Sequence, residues 1–283
     1  MEIIESVQEM QEKAEALRMA GYTIGLVPTM GFLHEGHLEL MRVAKKLATH
    51  AVVSIFVNPS QFGPNEDFER YPRDREGDLA KAESVGVDVV FLPTAQEMYP
   101  AGFQTRVQVL EVTQHLCGLS RPTHFDGVAT VVSKLFHITR PHIAVFGQKD
   151  FQQLTVISRM AADLDMGIEI VGVPIVREAD GLAMSSRNKY LSAEERIVAR
   201  CLKKGLELAQ DLVRAGERDA AAIRRTVEAL ISGQPFTRID YISLADSETL
   251  EEVAVLQRDA LMALAVFVGS TRLIDNAVLE VRA

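Results

Sequence analysis

Pro28-Thr29-Met30-Gly31-Phe32-Leu33-His34-Glu35-Gly36-His37 follows an apolar run, Ile24 to Val27, and precedes an amphipathic stretch, Leu38 to Ala48. The run reads as a strand that the proline halts, the glycine-bearing segment as a loop, and the histidines stand where a helix begins. In open α/β sheets ligands settle at the carboxyl ends of strands. A helix N-terminus there presents unpaired N–H groups and the positive end of its dipole to a phosphate. Gly36, which has no Cβ, lets a flat base or a phosphate oxygen come close to the backbone between His34 and His37, which at this spacing share one helical face. A cap or a solvated side chain is the plainer alternative for either histidine, and zinc ligation is another. The pair lacks HExxH spacing, and neither Cys117 nor Cys201 falls in a CxxC pair.

Outward from this stretch the chain alternates strand and helix. Ser6-Val7-Gln8-Glu9 reads as a capping box opening a helix to about Met19, with Gly21 near its end. Ala51 to Val57 is a continuous apolar run, as in a strand buried on both faces of a parallel sheet, and it ends at Asn58-Pro59-Ser60-Gln61-Phe62-Gly63-Pro64. A helix is expected from about Asp74 to Ser84, a third strand from Val87 to Leu92, and a short strand over Arg106 to Val109. Arg121-Pro122-Thr123-His124-Phe125-Asp126-Gly127 sets polar groups at the start of an apolar helix, Val128 to Ile138, where Asp126 as a cap and Arg121 in a surface ion pair is the alternative to a binding role. His142 to Phe146 reads as another strand, ended by Gly147-Gln148-Lys149-Asp150-Phe151-Gln152-Gln153 at the start of a helix to about Asp165, and Ile168 to Val176 as the last strand of this half. Lys149 is placed as a point charge for phosphate, although no GxxxxGK[ST] motif exists.

After Val176 the composition turns helical. Arg177 to Asn188 is a loop with two adjacent hydroxyls and a guanidinium, a suitable clamp for phosphate oxygens. Ser192-Ala193-Glu194-Glu195 is a second capping box, before a helix to about Arg214 and another over Asp219 to Ile231. Three strands close the chain, Arg238 to Leu244, Ala260 to Val268 and Thr271 to Ile274, the last two joined as a hairpin at Gly269-Ser270. The expected architecture is α/β: a Rossmann-like parallel sheet over residues 1–176 and a smaller α+β C-terminal lid domain over 177–283.

Composition bounds the chemistry. At 283 residues and 47% hydrophobic, the chain can fill a substantial core. With 39 acidic against 30 basic residues and a net charge of −9, broad attraction to nucleic acid or an anionic membrane is disfavoured, so phosphate handling must be local. No apolar run approaches the ~20 residues that span a bilayer, the N-terminus lacks a basic region followed by an apolar core, and two separated cysteines make no disulfide framework. A cytoplasmic protein is expected. The absence of GxGxxG argues against hydride transfer on a dinucleotide, and the absence of GxSxG against an α/β-hydrolase.

At these residues the sequence resembles a known family. His34-Glu35-Gly36-His37 is similar to the HxGH signature of the adenylate-forming nucleotidyltransferases, and Met184-Ser185-Ser186-Arg187 to their KMSKS-type phosphate loop. Val27 to Gly31, Phe56 to Pro59, Gln61-Phe62, Tyr71-Pro72-Arg73, Arg121-Pro122, His124-Phe125, Gly147, Lys149-Asp150, Gln152-Gln153 and Asp180 through Arg187 resemble, more closely, the pantothenate synthetase family. The resemblance implies a ligase that condenses (R)-pantoate with β-alanine, using ATP and passing through an enzyme-bound pantoyl adenylate. It also implies magnesium with ATP, a homodimer, and no nucleic-acid or membrane partner.

By position, the resemblance makes His34, His37, Lys149, Ser185, Ser186 and Arg187 the groups that hold the triphosphate and stabilise the departing pyrophosphate. Met30, Gly147, Asp150 and Val176 would lie along the nucleotide, and Gln61, Gln153, Arg121, Asn58 and Tyr71 on the substrate side. Asp78 is the acidic candidate near the magnesium. The chain departs from the family where it has Gly77 before Asp78 in place of a second acid, Gln148 and Cys117 in place of glutamates, and Ser60 in place of methionine. Rival readings are a neighbouring nucleotidyltransferase, a nucleotide-binding regulator without turnover, and a zinc hydrolase built on His34, His37 and His124.

Overall fold

The apolar runs form the middle of a parallel sheet. A computed structural model describes residues 1–64 and 66–281. In chain order its elements are β1 (Glu2–Ile4), α1 (Val7–Met19), β2 (Ile24–Thr29), α2 (Glu35–Leu47), β3 (His50–Ile55), α3 (Arg75–Ser84), β4 (Val89–Phe91), α4 (Ala95–Met98), α5 (Cys117–Ser120), α6 (His124–Thr139), β5 (Ile143–Gly147), α7 (Phe151–Asp163) and β6 (Glu169–Val173). There follow α8 (Ala193–Ala199), α9 (Cys201–Arg214), α10 (Ala220–Ser232), β7 (Thr237–Ala245), β8 (Ala260–Val268) and β9 (Thr271–Leu279). Short 3₁₀ turns stand at Pro59–Gln61, Glu111–Thr113, Gln148–Asp150 and Ser186–Tyr190.

The first sheet runs β1-β4-β3-β2-β5-β6, every pairing parallel, and the second runs β7-β8-β9, antiparallel. The strand order reverses beside β2, so the loop after β2 leaves the sheet at the place where α/β folds bind ligands. Parallel strands need cover on both faces, and the sequence provides it. Val27, Ala51, Val53, Val90 and Val145 pack with Leu40, Met41 and Ala44 of α2 and with Ala82 of α3. Gly25 admits α2 closely, since a Cβ there would sit 3.1 Å from that of Ala48. Leu26, fully buried, points the other way by strand alternation, and α1 and α6 pack on β2 and on each other.

The chain divides into two compact units. The first comprises residues 1–110, 121–148 and 153–174; the second takes 175 onward together with two short segments, 111–120 and 149–152. In the second unit α9 and α10 cover β7, β8 and β9 through Leu202, Leu206, Ile223, Val227, Ile231, Leu264 and Val266.

Most of the expected elements are present, and the differences have physical causes. The strand expected over Arg106 to Val109 does not form: residues 103–110 are irregular, and the Val107 N–H donates to Thr130 Oγ1 of α6 at 2.9 Å instead of to a neighbouring strand. The strand expected to reach Val176 ends at Val173, because Pro174 has no N–H for the ladder. The single helix expected to Arg214 is two, meeting at Arg200. β1, an edge strand only three residues long, escaped the sequence reading; it pairs with β4 from Glu2↔Val89 to Ile4↔Phe91. Leu26 sits at the centre of the parallel sheet, so Leu26→Ala should lower unfolding free energy in urea by about 2–5 kcal/mol.

Candidate active site

Thr29 ends β2 with its side chain turned back into the sheet: Oγ1 donates to the Ser54 carbonyl at 2.9 Å and accepts the Gly31 N–H at 3.2 Å. The chain then turns through two left-handed residues, Gly31 at φ +82° and Phe32 at φ +51°. Only glycine suits the first, because a Cβ would stand 2.9 Å from both Asp78 Oδ2 and Ile55 Cγ2. A phenylalanine at positive φ is strained and must be held from outside. Asp78 of α3 holds it, accepting the Phe32 N–H at 2.8 Å and the Leu33 N–H at 2.6 Å, while Lys81 Nζ donates to the Leu33 carbonyl at 2.9 Å. Burial pushes the Asp78 carboxyl above its ordinary range, against the pull of these two amides and of Lys81.

This clamp delivers His34 to the N-cap of α2 and His37 to its first turn. The two imidazoles lie 4.0 Å apart, centroid to centroid, at 31°. His37 Nδ1 accepts the His34 N–H at 3.3 Å, which leaves the proton of the neutral ring on Nε2. The helix start therefore offers an imidazole N–H and a dipole end of the same sign.

The loop after β3 is built on Asn58. Its Nδ2 donates to Gln61 Oε1 and to the Gly127 carbonyl, both at 3.1 Å, and its Oδ1 accepts from Ser60 Oγ at 2.9 Å and Tyr99 Oη at 2.8 Å. Asn58 thus fixes the Gln61 amide, whose Nε2 lies 3.2 Å from the sulfur of Met30. Gly127 is needed for α6 to approach, since a Cβ would meet the Ser60 carbonyl at 2.5 Å. Burial raises the Tyr99 hydroxyl above its ordinary pKa, so it stays a donor.

His124 Nδ1 donates to the Gln61 carbonyl at 2.9 Å, and Arg121 Nη2 reaches the same carbonyl at 3.2 Å. Arg121 also grips Glu66 with two bonds, Nε to Oε1 and Nη2 to Oε2, each 2.5 Å. Tyr71 is buried, its ring 6.0 Å from that of Phe62. The first unit thus brings Met30, His34, His37, Asn58, Gln61 and Asp78 into one connected set of loops, with Arg121 and His124 bonded to its edge.

The second unit holds Lys149, Asp150, Val176, Ser185, Ser186 and Arg187. Lys149 lies in the 3₁₀ turn after β5, and its carbonyl accepts from Asn276 Nδ2 at 2.9 Å. Gln152 is buried and staples this turn to the segment before α5: Nε2 donates to the carbonyls of Val112 at 3.0 Å and His115 at 2.7 Å, and Oε1 accepts the Cys117 N–H at 3.0 Å. Residues 176–184 form a tight hairpin, with the Met184 N–H donating to the Val176 carbonyl at 3.0 Å and the Glu178 N–H to the Leu182 carbonyl at 2.8 Å. Ser185 caps the turn that follows, accepting the Arg187 N–H at 3.3 Å. Asn188 Nδ2 ties this turn to Glu178 Oε1 at 2.7 Å and to the Ala183 carbonyl at 3.0 Å. Asp150 follows Lys149 within its turn, while Gly147 and Gln153 belong to the first unit.

Among the described residues, no group of three or more His, Cys, Asp or Glu side chains is disposed to hold a metal ion. Asp78 has an amide on each oxygen and is 2% exposed, and His124 turns to a carbonyl, so these residues do not fit a protein-held metal centre. Asn58, Asp78, Gln152 and Asn276 are the supporting residues whose roles the sequence alone did not reveal. Asn58, Asp78 and Gln152 stand within or beside motifs, which was their one sequence signal, and Asn276 had none.

A family model described as Pantoate-beta-alanine ligase matches residues 2–278. A pantothenate synthetase of Syntrophus aciditrophicus is 57% identical over 98% of this chain and 97% of its own, and one of Geobacter sulfurreducens 58% identical over 99% of each. Among solved structures, the pantothenate synthetase of Thermus thermophilus is 43% identical with a TM-score of 0.93, covering 99% of this chain and 100% of that one. A pantoate-beta-alanine ligase of Francisella tularensis, complexed with beta-gamma ATP and beta-alanine, is 32% identical with a TM-score of 0.80 over 98% and 97%.

Burial alone would raise the Glu66 carboxyl, but the hydrogen bonds and charge of Arg121 hold it below its usual value. A depressed carboxylate stabilises the fold above its unfolded pKa, about 4.3, and loses that contribution as pH falls through the lower folded value. A double-mutant cycle on Arg121→Ala and Glu66→Ala should therefore show coupling of about 1–2 kcal/mol at pH 7, fading below pH ~4.

Proposed function

The chain belongs to the pantoate–β-alanine ligase family, and on that premise we propose which of its residues carry each step. The reaction is the ATP-dependent condensation of (R)-pantoate with β-alanine to pantothenate, AMP and pyrophosphate. A carboxylate acylates poorly because its oxide is a bad leaving group, so the enzyme first exchanges that oxide for AMP. A carboxylate oxygen of pantoate attacks the α-phosphorus of ATP, the bond to the bridging oxygen breaks, and pyrophosphate departs. The amine of β-alanine then attacks the acyl carbon of pantoyl adenylate, loses a proton, and expels AMP with the oxygen that pantoate contributed.

The first step asks the protein mainly for alignment and for positive charge where negative charge grows. The observation that carries the assignment is the imidazole pair at the N-terminus of α2, with His37 bonded so that its proton sits on Nε2. In this reading His34, His37 and the α2 amides take phosphate oxygens, and Lys149, Ser185, Ser186 and Arg187 take the charge of the departing pyrophosphate. Met30, Gly147, Asp150 and Val176 lie along the nucleotide. Gln61 and Gln153 hydrogen-bond pantoate, whose hydroxyls leave polar groups unpaired if the amides are lost. Asn58 holds Gln61 in place, and Arg121 and Tyr71 shape the substrate side.

Magnesium enters as part of the substrate, bound to ATP oxygens. Asp78 serves it indirectly, by holding the loop that leads to the histidines. The homodimer and the cytoplasmic setting belong to the same reading, and sedimentation velocity tests the first.

His34→Ala or Lys149→Ala should lower the rate of pantoate-dependent ATP–pyrophosphate exchange by about 10²-fold or more, with the melting temperature preserved. Gln61→Ala should act mainly on the KM for pantoate. Unchanged exchange kinetics in any one variant would remove that residue from its role.

A further inference from the structure

The last strand interrupts its own pattern. Along β9 the side chains of Leu273, Asp275, Ala277 and Leu279 alternate onto one face, and those of Arg272, Ile274, Asn276 and Val278 onto the other. At its middle, against the wholly apolar strand β8, stand Asp275, 2% exposed, and Asn276, 7% exposed. Burying a carboxylate and an amide side by side costs several kcal/mol unless both are fully bonded. A strand needing only stability would carry apolar residues there.

Each of the two is bonded to a segment that carries phosphate-handling groups. Asp275 takes the Arg177 guanidinium as a fork, Nη1 to Oδ2 at 2.7 Å and Nη2 to Oδ1 at 2.9 Å, and Oδ1 also accepts the Asn276 N–H at 2.9 Å. Arg177 Nη1 donates in turn to the Gly181 carbonyl at 3.2 Å, across the hairpin that leads to Ser185. From the opposite face Asn276 Nδ2 holds the Lys149 carbonyl at 2.9 Å. Two adjacent residues of one rigid strand thus set both the base of the Ser185–Arg187 turn and the backbone of Lys149, segments far apart in sequence.

We propose that Asp275 and Asn276 are positioning residues for adenylate formation, fixing the ammonium of Lys149 and the Ser185-Ser186-Arg187 turn in one mutual register; this rests on the reading of those groups as triphosphate ligands. Stabilisation of a transition state by point charges depends steeply on placement, and a displacement near 1 Å can cost about 10²-fold. Gln152 already staples the Lys149 turn from another side, so loss of Asn276 shifts that turn without releasing it. Loss of the Asp275 fork loosens the hairpin at its base, while Asn188 still ties its far end to Glu178 and the Ala183 carbonyl.

The test compares full-length wild type, Asn276→Ala, Asp275→Asn, and the double variant Arg177→Met with Asp275→Leu. The double variant matters because replacing a buried ion pair by apolar side chains is often neutral for stability. Each protein is assayed for pantoate-dependent ATP–pyrophosphate exchange, for conversion of preformed pantoyl adenylate and β-alanine to pantothenate, for melting temperature, and for backbone hydrogen exchange.

All three variants should lose about 10- to 100-fold in the first half-reaction and keep the second within about threefold, with the KM for pantoate unchanged. Hydrogen exchange should quicken around residues 147–153 in Asn276→Ala and around 177–188 in Asp275→Asn. Adenylation that recovers in the double variant along with stability, or two half-reactions that fall together, would reduce the pair to a structural role and overturn the proposal. Wild-type protein without exchange would overturn the functional reading and the proposal with it; wild-type exchange with unaltered variants would overturn the proposal alone.

Discussion

Two amide hydrogen bonds to the carboxylate of Asp78 carry the geometry of the first unit. The turn from β2 into α2 must pass through a left-handed glycine, which adopts that conformation freely, and a left-handed phenylalanine, which does not keep it unaided. Asp78 takes the Phe32 and Leu33 amides, and Lys81 takes the Leu33 carbonyl, so that α3 grips the turn on both its donor and its acceptor sides. Once the turn is set, the position of His34 follows from the cap and that of His37 from the first helical turn. The sheet provides the rigid base: Thr29 lies in register with Ile55, and its hydroxyl spans the end of β2 to the carbonyl of Ser54.

The same arrangement recurs elsewhere in the molecule. Several groups assigned to ligand contact stand on short irregular segments or follow them directly, and a buried polar side chain from a regular element or an adjoining turn holds the segment. Asn58 saturates its amide on protein partners and so presents Gln61; Gln152 binds the Lys149 turn to the chain before α5; Asp275 and Asn276 fix two segments from one strand. The rule is economical in sequence. Each anchor is a buried polar residue whose desolvation its hydrogen bonds offset, which is the cost of orienting a neighbour.

The architecture was legible where one periodicity dominated. The runs at Ile24, Ala51, Val87 and His142 announced a parallel sheet, Ser6 and Ser192 announced helices they do cap, and Gly269-Ser270 announced a hairpin that forms with Val268 opposite Thr271. The reading failed where a tertiary partner decided the outcome. Val107 lies in a β-like stretch yet spends its N–H on a threonine of α6, and Glu2 to Ile4 is too short to declare itself without β4 beside it. The site was legible in its ligand-facing residues, because histidine, lysine and serine beside glycine have few other reasons to cluster. Its supports were not, because the sequence offered Asp78 as an acid near the magnesium, and only the left-handed backbone opposite it shows that the carboxylate holds the turn instead.

Activation of a carboxylate by adenylation has one consequence that no other use of ATP shares: the oxygen that joins pantoate to phosphorus must leave with AMP. Incubation of the protein with ATP, magnesium, β-alanine and pantoate carrying oxygen-18 in both carboxyl positions, followed by mass spectrometry of the products, reads this directly. One labelled oxygen in AMP and one retained in pantothenate is the predicted result. Label appearing in pyrophosphate or inorganic phosphate, or AMP formed without it, would contradict attack at the α-phosphorus and with it the roles assigned to the histidine pair and its partners.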